Sequence, residues 1–155
     1  MIVIKFGGHA MTDTSGGFAE VIKKSLSKEP CVIVHGGGPQ IDAALKTHQL
    51  DSTFIGGFRV TTPEIFAVVQ QVLSGTVLRE VVAHLRAHEV PAVGISGRDG
   101  GTLQASVLRK LVDGTPAELG RVGEVERVDT SLLKSLLNAH VKDGDFFSPI
   151  FRQSF

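Results

Sequence analysis

The chain has 155 residues, of which 42% are hydrophobic, and its 16 basic and 16 acidic residues give a formal net charge of zero. This length predicts one domain, and the balanced charge gives no electrostatic reason to expect a nucleic-acid partner. No apolar run approaches the roughly 20 residues that cross a bilayer, and the N-terminus lacks a signal-peptide pattern. The single cysteine, Cys31, excludes an internal disulfide. We therefore expect a soluble, cytoplasmic protein that binds neither nucleic acid nor a membrane.

Two predicted strands run directly into glycines. The first unit, residues 2–8, carries Lys5 shortly before a Gly-Gly pair, and the second, residues 32–41, places three glycines ahead of Pro39. A proline suits the first turn of a helix, and an apolar helical pattern follows it. Unsatisfied N–H groups and the helix dipole attract anions to such a helix N-terminus. Two units of this kind and a lysine indicate handling of phosphate or carboxylate groups.

Strand and helix patterns alternate along the first 47 residues. Helical spacing of apolar residues, with candidate capping residues upstream, predicts a helix between the two glycine units: the apolar set is Phe18, Val21, Ile22 and Leu26, and the caps are Asp13, Thr14 and Ser15. This alternation favours a mainly parallel sheet covered by helices. Right-handed crossovers place both glycine turns at the carboxyl ends of the strands, where open α/β sheets bind ligands.

Residues 53–60 predict a β-hairpin with a Gly-Gly turn. Arg59 alternates with its two apolar neighbours, so its side chain is expected on the opposite face from theirs. A helix follows, and Thr61 and Glu64 have the spacing of a capping box at its start.

That helix carries two apolar sets, namely Ile65, Val68, Val69 and Val72, then Leu78, Val81, Val82 and Leu85. At about 100° per residue the two sets fall on nearly opposite sides, with Gly75 between them. Either the helix kinks at Gly75, or both faces are buried, which would suit a subunit interface in a homo-oligomer. His84 and His88 lie near the helix end with no third metal ligand apparent, so we expect them to be solvated.

The remaining elements complete an α/β pattern. They are a third strand over 91–96, antiparallel strands over 103–109 and 119–128, a short helix over 132–137 and a fourth parallel strand over 146–151. Asp99, in the glycine cluster after the third strand, is expected to shape a turn. We therefore predict one domain over residues 1–155 with three αβα layers, built on a mainly parallel open sheet plus β-hairpins.

Common nucleotide-binding motifs are missing, because the sequence has no G-x-x-x-x-G-K-[ST] and no G-x-G-x-x-G after its first strand. It has instead K-F-G-G from Lys5, H-G-G-G-P-Q from His35 and G-G-F-R-V-T from Gly56, in that order. This combination resembles the amino acid kinase family, and within it the branch that acts on acetylglutamate. The resemblance extends from Met1 to about Leu137 and includes the later A-V-G-I-S-G-R-D-G.

The resemblance implies ATP-dependent phosphorylation of the side-chain carboxylate of N-acetyl-L-glutamate, a step of arginine biosynthesis. Phosphoryl transfer depends on positioning and charge stabilisation. Lys5 would neutralise charge on the phosphoryl group, and Gly7 and Gly8 would donate backbone N–H groups to phosphate oxygens. Mg²⁺ would arrive with ATP as co-substrate, and no tightly bound cofactor or dedicated metal cluster is expected.

On the substrate side, the resemblance implies that Gly37 and Gly38 hold the acyl amino acid near its reacting carboxylate. Arg59 would grip a substrate carboxylate in bidentate fashion. Each residue also has an ordinary interpretation: the glycines permit a tight turn, Lys5 is solvated, and Arg59 is a surface ion-pair partner. Their occurrence together in family order favours a site.

The family's chain continues into a nucleotide-binding lobe with a second lysine and an aspartate motif, which this sequence lacks. We therefore expect an incomplete domain that carries the acyl-amino-acid half and cannot phosphorylate efficiently alone. A complementing C-terminal half is then a further expected partner. Two alternatives stay open: a non-catalytic module that binds an acyl amino acid or a kinase subunit, and a related kinase with another carboxylate or phosphate substrate.

Overall fold

The computed structural model of the protein describes residues 1–7 and 16–139, and the backbone of residues 148–152. Its strands are β1 (Ile2–Phe6), β2 (Cys31–His35), β3 (Phe54–Ile55), β4 (Phe58–Arg59), β5 (Ala92–Ser96), β6 (Leu103–Val107), β7 (Gly123–Val128) and β8 (Ser148–Arg152). Its α-helices are α1 (Gly17–Leu26), α2 (Gly38–Thr47), α3 (Pro63–Gln70), α4 (Leu78–Ala87) and α5 (Ser131–Ala139). The expected capping residues 13–15, and residues 146 and 147 of the expected last strand, lie outside the described residues.

Four strands form a parallel sheet in the order β1-β2-β8-β5. The two hairpins, β3–β4 and β6–β7, stand outside it as separate antiparallel pairs. The predicted mixed α/β fold, with a mainly parallel sheet plus hairpins, is therefore confirmed.

The hydrophobic core lies on one face of the sheet. Strand β1 alternates, so Ile2, Ile4 and Phe6 pack against the core, whereas Val3 and Lys5 are exposed on the other face. The ring of Phe6 stacks on Phe18 of α1, with ring centroids 3.9 Å apart. Helix α4 covers the same side of the sheet, and α5 contacts β8.

A π-helical segment, Gln71–Val77, joins α3 to α4. Buried positions are three or four residues apart within the two α-helices, but five apart across this segment, from Val72 to Val77 and from Leu73 to Leu78. Because a π-helix bonds residues five apart, both apolar sets reach the core of one chain. A subunit interface is therefore not needed to bury them, and a homo-oligomer stays a prediction.

The continuous helical segment of residues 63–87 has the length and composition of a membrane span, with a mean hydropathy of 1.4 in its most apolar window. Core helices of soluble proteins share these properties. Here the apolar residues Leu73, Leu78 and Leu85 pack into the hydrophobic core beside the sheet, which accounts for the composition of the segment.

The expected capping box at α3 is wrong by one residue. The cap is Thr62, whose Oγ1 accepts the backbone N–H of Ile65 at 3.3 Å. Thr61 is buried because its backbone pairs with a distant segment: its N–H donates to the Leu119 carbonyl at 2.9 Å, and its carbonyl accepts the Arg121 N–H at 2.7 Å. This pairing also explains why β7 begins at residue 123 rather than 119.

The two hairpins are in contact. The β3–β4 turn forms as predicted, with Gly56 and Gly57 at φ 57° and 85°, a conformation that glycine adopts without steric cost. A Cβ at Gly56 would lie 2.7 Å from Leu111 Cδ2, in the loop after β6. The segment that connects β6 to β7 therefore packs on the hairpin that carries Arg59.

His84 and His88 are half-buried, so the prediction that both are solvated is wrong. Their rings are 4.6 Å apart, and His88 Nδ1 donates to the His84 carbonyl at 2.9 Å. The start of α1 covers the pair, because a Cβ at Gly16 would lie 2.5 Å from His88 Nε2. Within the described part of the chain no group of three or more metal-ligating side chains occurs.

Candidate functional site

The carboxyl ends of the two glycine-ended strands, β1 and β2, lie side by side at one edge of the sheet, as predicted. Phe6 is in register with His35, and the N–H of Gly36 donates to the Phe6 carbonyl at 3.2 Å. Gly7 follows directly and is exposed. Gly8, its predicted partner in phosphate binding, lies outside the described residues. The backbone of β1 therefore ends beside the glycines that open α2.

No acidic side chain of the first turn neutralises the N-terminus of α2. The N-cap of this helix is Gly37, which has no side chain to cap it. The first helical hydrogen bond runs from the Ile41 N–H to the Gly37 carbonyl at 2.9 Å. The amides of this first turn therefore have no side-chain cap, which is the geometry that attracts a phosphate or carboxylate.

The buried side chain of His35 hydrogen-bonds the backbone of the turn that precedes α2. The side chain is 1% exposed, and its Nδ1 donates to the Gly36 carbonyl at 2.8 Å. Because a carbonyl only accepts, this contact defines which ring nitrogen carries a proton. The contact indicates a structural role for His35 in the turn rather than that of a general base.

Gly37 and Gly38 differ in surroundings. Gly38 is exposed, and a Cβ there would meet nothing within 4 Å. Gly37 is buried, and a Cβ there would lie 2.5 Å from Leu73 Cδ2 and 3.5 Å from Val77 Cγ2. The π-helical segment thus packs directly behind the turn, and Gly37 is the position where a side chain is excluded.

Arg59 reaches α2 from the hairpin. Its Nη2 donates to Asp42 Oδ1 at 2.6 Å, its Nη1 donates to the Ser52 hydroxyl, and its Cζ lies 4.6 Å from the centroid of the Phe54 ring. Only 14% of the side chain is exposed. Asp42 is one helical turn after Gly38, so Arg59 contacts the helix that the glycine turn opens. In this structure Arg59 is an ion-pair partner, and binding of a substrate carboxylate stays a prediction.

Lys5 lies one residue before the point where the strand ends meet, opposite Val34 of β2. Its side chain is exposed, and no hydrogen bond or ion pair links it to another side chain within residues 1–7 and 16–139. The structure therefore places Lys5 at the expected edge, without direct contact to Arg59 or the α2 glycines.

Asp99 shapes the turn after β5, as expected. One of its carboxylate oxygens accepts the N–H of Ser96 at 2.6 Å and the Ser96 hydroxyl at 2.8 Å. Its carboxylate is thus used within the loop.

Three residues around the site escape sequence reasoning: Asp42, Ser52 and Leu73. Asp42 and Ser52 pair with an arginine from another element, and a lone acidic residue on a helix surface carries no sign of such a partner. The sequence pattern predicts only that Leu73 belongs to the core. Its contact with Gly37 depends on the π-helical segment, which no sequence pattern indicates.

The sequence profile described as the amino acid kinase family matches residues 1–144 of this chain. The chain belongs to the amino acid kinase family. It is 47% identical over 142 residues to the acetylglutamate kinase of Bifidobacterium adolescentis, covering 89% of this chain and 44% of that protein. It is also 46% identical over 143 residues to the acetylglutamate kinase of Corynebacterium jeikeium, covering 90% and 45%. This family member therefore spans less than half the length of those relatives.

Solved structures support the amino acid kinase fold. The Streptococcus mutans protein smu.665 superposes with a TM-score of 0.78 at 28% identity, covering 97% of this chain and 57% of that chain. The N-acetylglutamate synthase of Neisseria gonorrhoeae, complexed with coenzyme A and N-acetyl-glutamate, has a TM-score of 0.66 at 22% identity, covering 96% and 32%. At that identity the second likeness is one of fold alone.

Proposed function

We propose that this chain supplies the acyl-amino-acid side of a kinase that phosphorylates the side-chain carboxylate of N-acetyl-L-glutamate with MgATP. The observation that carries the proposal is the convergence of the Gly36–Gly38 turn and Arg59 on α2, in a chain 46–47% identical to acetylglutamate kinases. A substrate with two carboxylates needs two anion-binding groups. The first-turn amides and the guanidinium supply these groups from two separate elements.

Each predicted residue has a role in this reaction. A carboxylate oxygen of the substrate attacks the γ-phosphorus of ATP, ADP leaves, and an acyl phosphate forms. Gly37 and Gly38 would hold the reacting carboxylate, and Arg59 would hold the second one. Lys5 would neutralise charge on the phosphoryl group as it moves, and the amides of Gly7 and Gly8 would bind phosphate oxygens. Such contacts lower the barrier through fixed electrostatic stabilisation.

The other groups that bind the nucleotide would come from outside the residues named above. The nucleotide-binding half would be supplied by a complementing C-terminal lobe, with Mg²⁺ bound together with ATP. Cytoplasmic location and a homo-oligomer belong to the same proposal. A second candidate is a non-catalytic module that binds the acyl amino acid, through the same first-turn amides and Arg59, or a kinase subunit.

Calorimetric titration of the purified chain, separately with N-acetyl-L-glutamate and with MgATP, tests the proposal. We expect binding of the first only. Arg59→Ala should abolish most of that binding. Arg121→Ala should leave it intact, because Arg121 also lies over a phenylalanine ring (Phe66, 5.4 Å), but no described contact joins it to α2 or to Arg59. Absence of N-acetyl-L-glutamate binding would overturn the proposed substrate, and MgATP binding would overturn the assignment of the nucleotide to another half.

A further inference from the structure

The guanidinium of Arg59 already holds a carboxylate from its own chain. Asp42 Oδ1 lies 2.6 Å from Nη2, whereas the Ser52 hydroxyl takes Nη1 and the Phe54 ring packs against the guanidinium plane. Arg59 is 14% exposed, but Asp42 is 63% exposed. The guanidinium is therefore held in one orientation, and the exposed carboxylate of Asp42 lies on the side that faces solvent.

A guanidinium has more N–H donors than these two contacts use, so a ligand carboxylate has donors left to bind. It would bind, however, next to the negative charge of Asp42. Two like charges about 4–6 Å apart that water largely screens repel enough to change an affinity by about three- to tenfold. The carboxylate of Asp42 is 63% exposed, and an ion pair whose acidic partner is open to water contributes little to stability. The effect of Asp42 should therefore be on ligand binding rather than on folding.

The geometry points to Asp42 as an affinity-limiting residue of the acyl-amino-acid site, whose carboxylate lies on the guanidinium of Arg59 and weakens the binding of a ligand anion beside it by charge repulsion. This inference rests on the proposed function, because it takes Arg59 as the group that binds a substrate carboxylate. Ser52 and Phe54 hold the guanidinium in place, so the charge of Asp42 is separable from the orientation of Arg59.

Asp42→Asn is the discriminating variant, since an amide oxygen keeps the hydrogen-bond acceptor and loses the charge. Asp51→Asn is its matched control: Asp51 lines the same cleft of about 370 Å³ beside Asp42 and Ser52, but no described contact joins it to Arg59. We expect Asp42→Asn to tighten binding of N-acetyl-L-glutamate about three- to tenfold at low ionic strength, with a smaller gain in high salt. Asp51→Asn should change it by less than about twofold.

The tightening should disappear when Arg59→Ala is the background. Unchanged or weaker binding by Asp42→Asn would overturn the inference. Equal tightening by Asp51→Asn would also overturn it, because it would show a general charge effect on the cleft.

Labelling of Arg59 by phenylglyoxal, followed by peptide mass spectrometry, gives a readout that needs no substrate. Arg59 should react faster in Asp42→Asn than in the wild-type chain or in Asp51→Asn, and equal rates would overturn the inference. If the wild-type chain does not bind N-acetyl-L-glutamate, the proposed function fails, and the labelling rates still decide whether Asp42 occupies Arg59.

Discussion

Replacing Gly37 by alanine should destabilise the protein through the π-helical segment. The new Cβ would lie 2.5 Å from Leu73 Cδ2, whereas carbon atoms in contact are normally about 3.5–4.0 Å apart. Leu73 is 4% exposed, so its side chain has to move by about 1 Å within a packed core. Overpacking of this kind costs about 1–3 kcal/mol. Gly38→Ala is the matched control, because its Cβ would meet nothing within 4 Å, and it should be neutral or stabilising by up to about 1 kcal/mol.

The assay is urea unfolding followed by far-UV circular dichroism, since the chain has no Trp or Tyr. Leu73→Ala alone should lose about 2–5 kcal/mol. In the double variant the alanine at 37 occupies the space that Leu73 vacates, so the loss should be smaller than the sum of the single losses by about 0.5–3 kcal/mol. A Gly37→Ala protein as stable as Gly38→Ala, or strictly additive losses, would refute the reasoning.

Three other predictions use the same unfolding assay. Gly120 has φ 69°, and a Cβ there would lie 2.2 Å from the Thr61 carbonyl oxygen, whereas Gly114 has φ 85° and open space around it. Gly114→Ala should cost about 1–2 kcal/mol for the backbone conformation alone, and Gly120→Ala should cost more. Equal losses would contradict this prediction. Thr62→Ala removes the cap of α3 and should cost about 0.5–2 kcal/mol, and no loss would argue against the cap. Burial raises the pKa of the Cys31 thiol; as the pH rises past about 8.5, the unfolded chain loses a proton that the folded chain keeps, so stability should fall. Cys31→Ala should lack that component, and an identical pH profile in both proteins would contradict it.

The strand–glycine units and the first hairpin were predictable because their signals are local. An apolar run into Gly36 ends a strand whatever lies around it, and a Gly-Gly pair between short strands specifies a turn. The buried position of Cys31 follows in the same way from its place at the start of an apolar run.

Other features depend on partners far along the chain. The π-helical segment has no signature in a pattern read at about 100° per residue, so the two apolar sets suggested opposite faces. Asp42 meets Arg59 only after the hairpin folds back on α2, and Thr61 pairs with residues 119–121 across the β6–β7 loop. For the site, the sequence therefore indicated which residues carry charge and free amides, but not that Arg59 is already paired with Asp42.

The position of β8 has a consequence for how the chain folds. Ile150 pairs with both Ile33 and Gly94, so the last described strand fills the gap between two strands that are made much earlier. During synthesis, β2 and β5 therefore have unpaired inner edges until residues 148–152 leave the ribosome. Pairings of such long sequence separation fold slowly, and open strand edges promote aggregation. This protein should therefore depend on chaperones during synthesis more than its small size suggests.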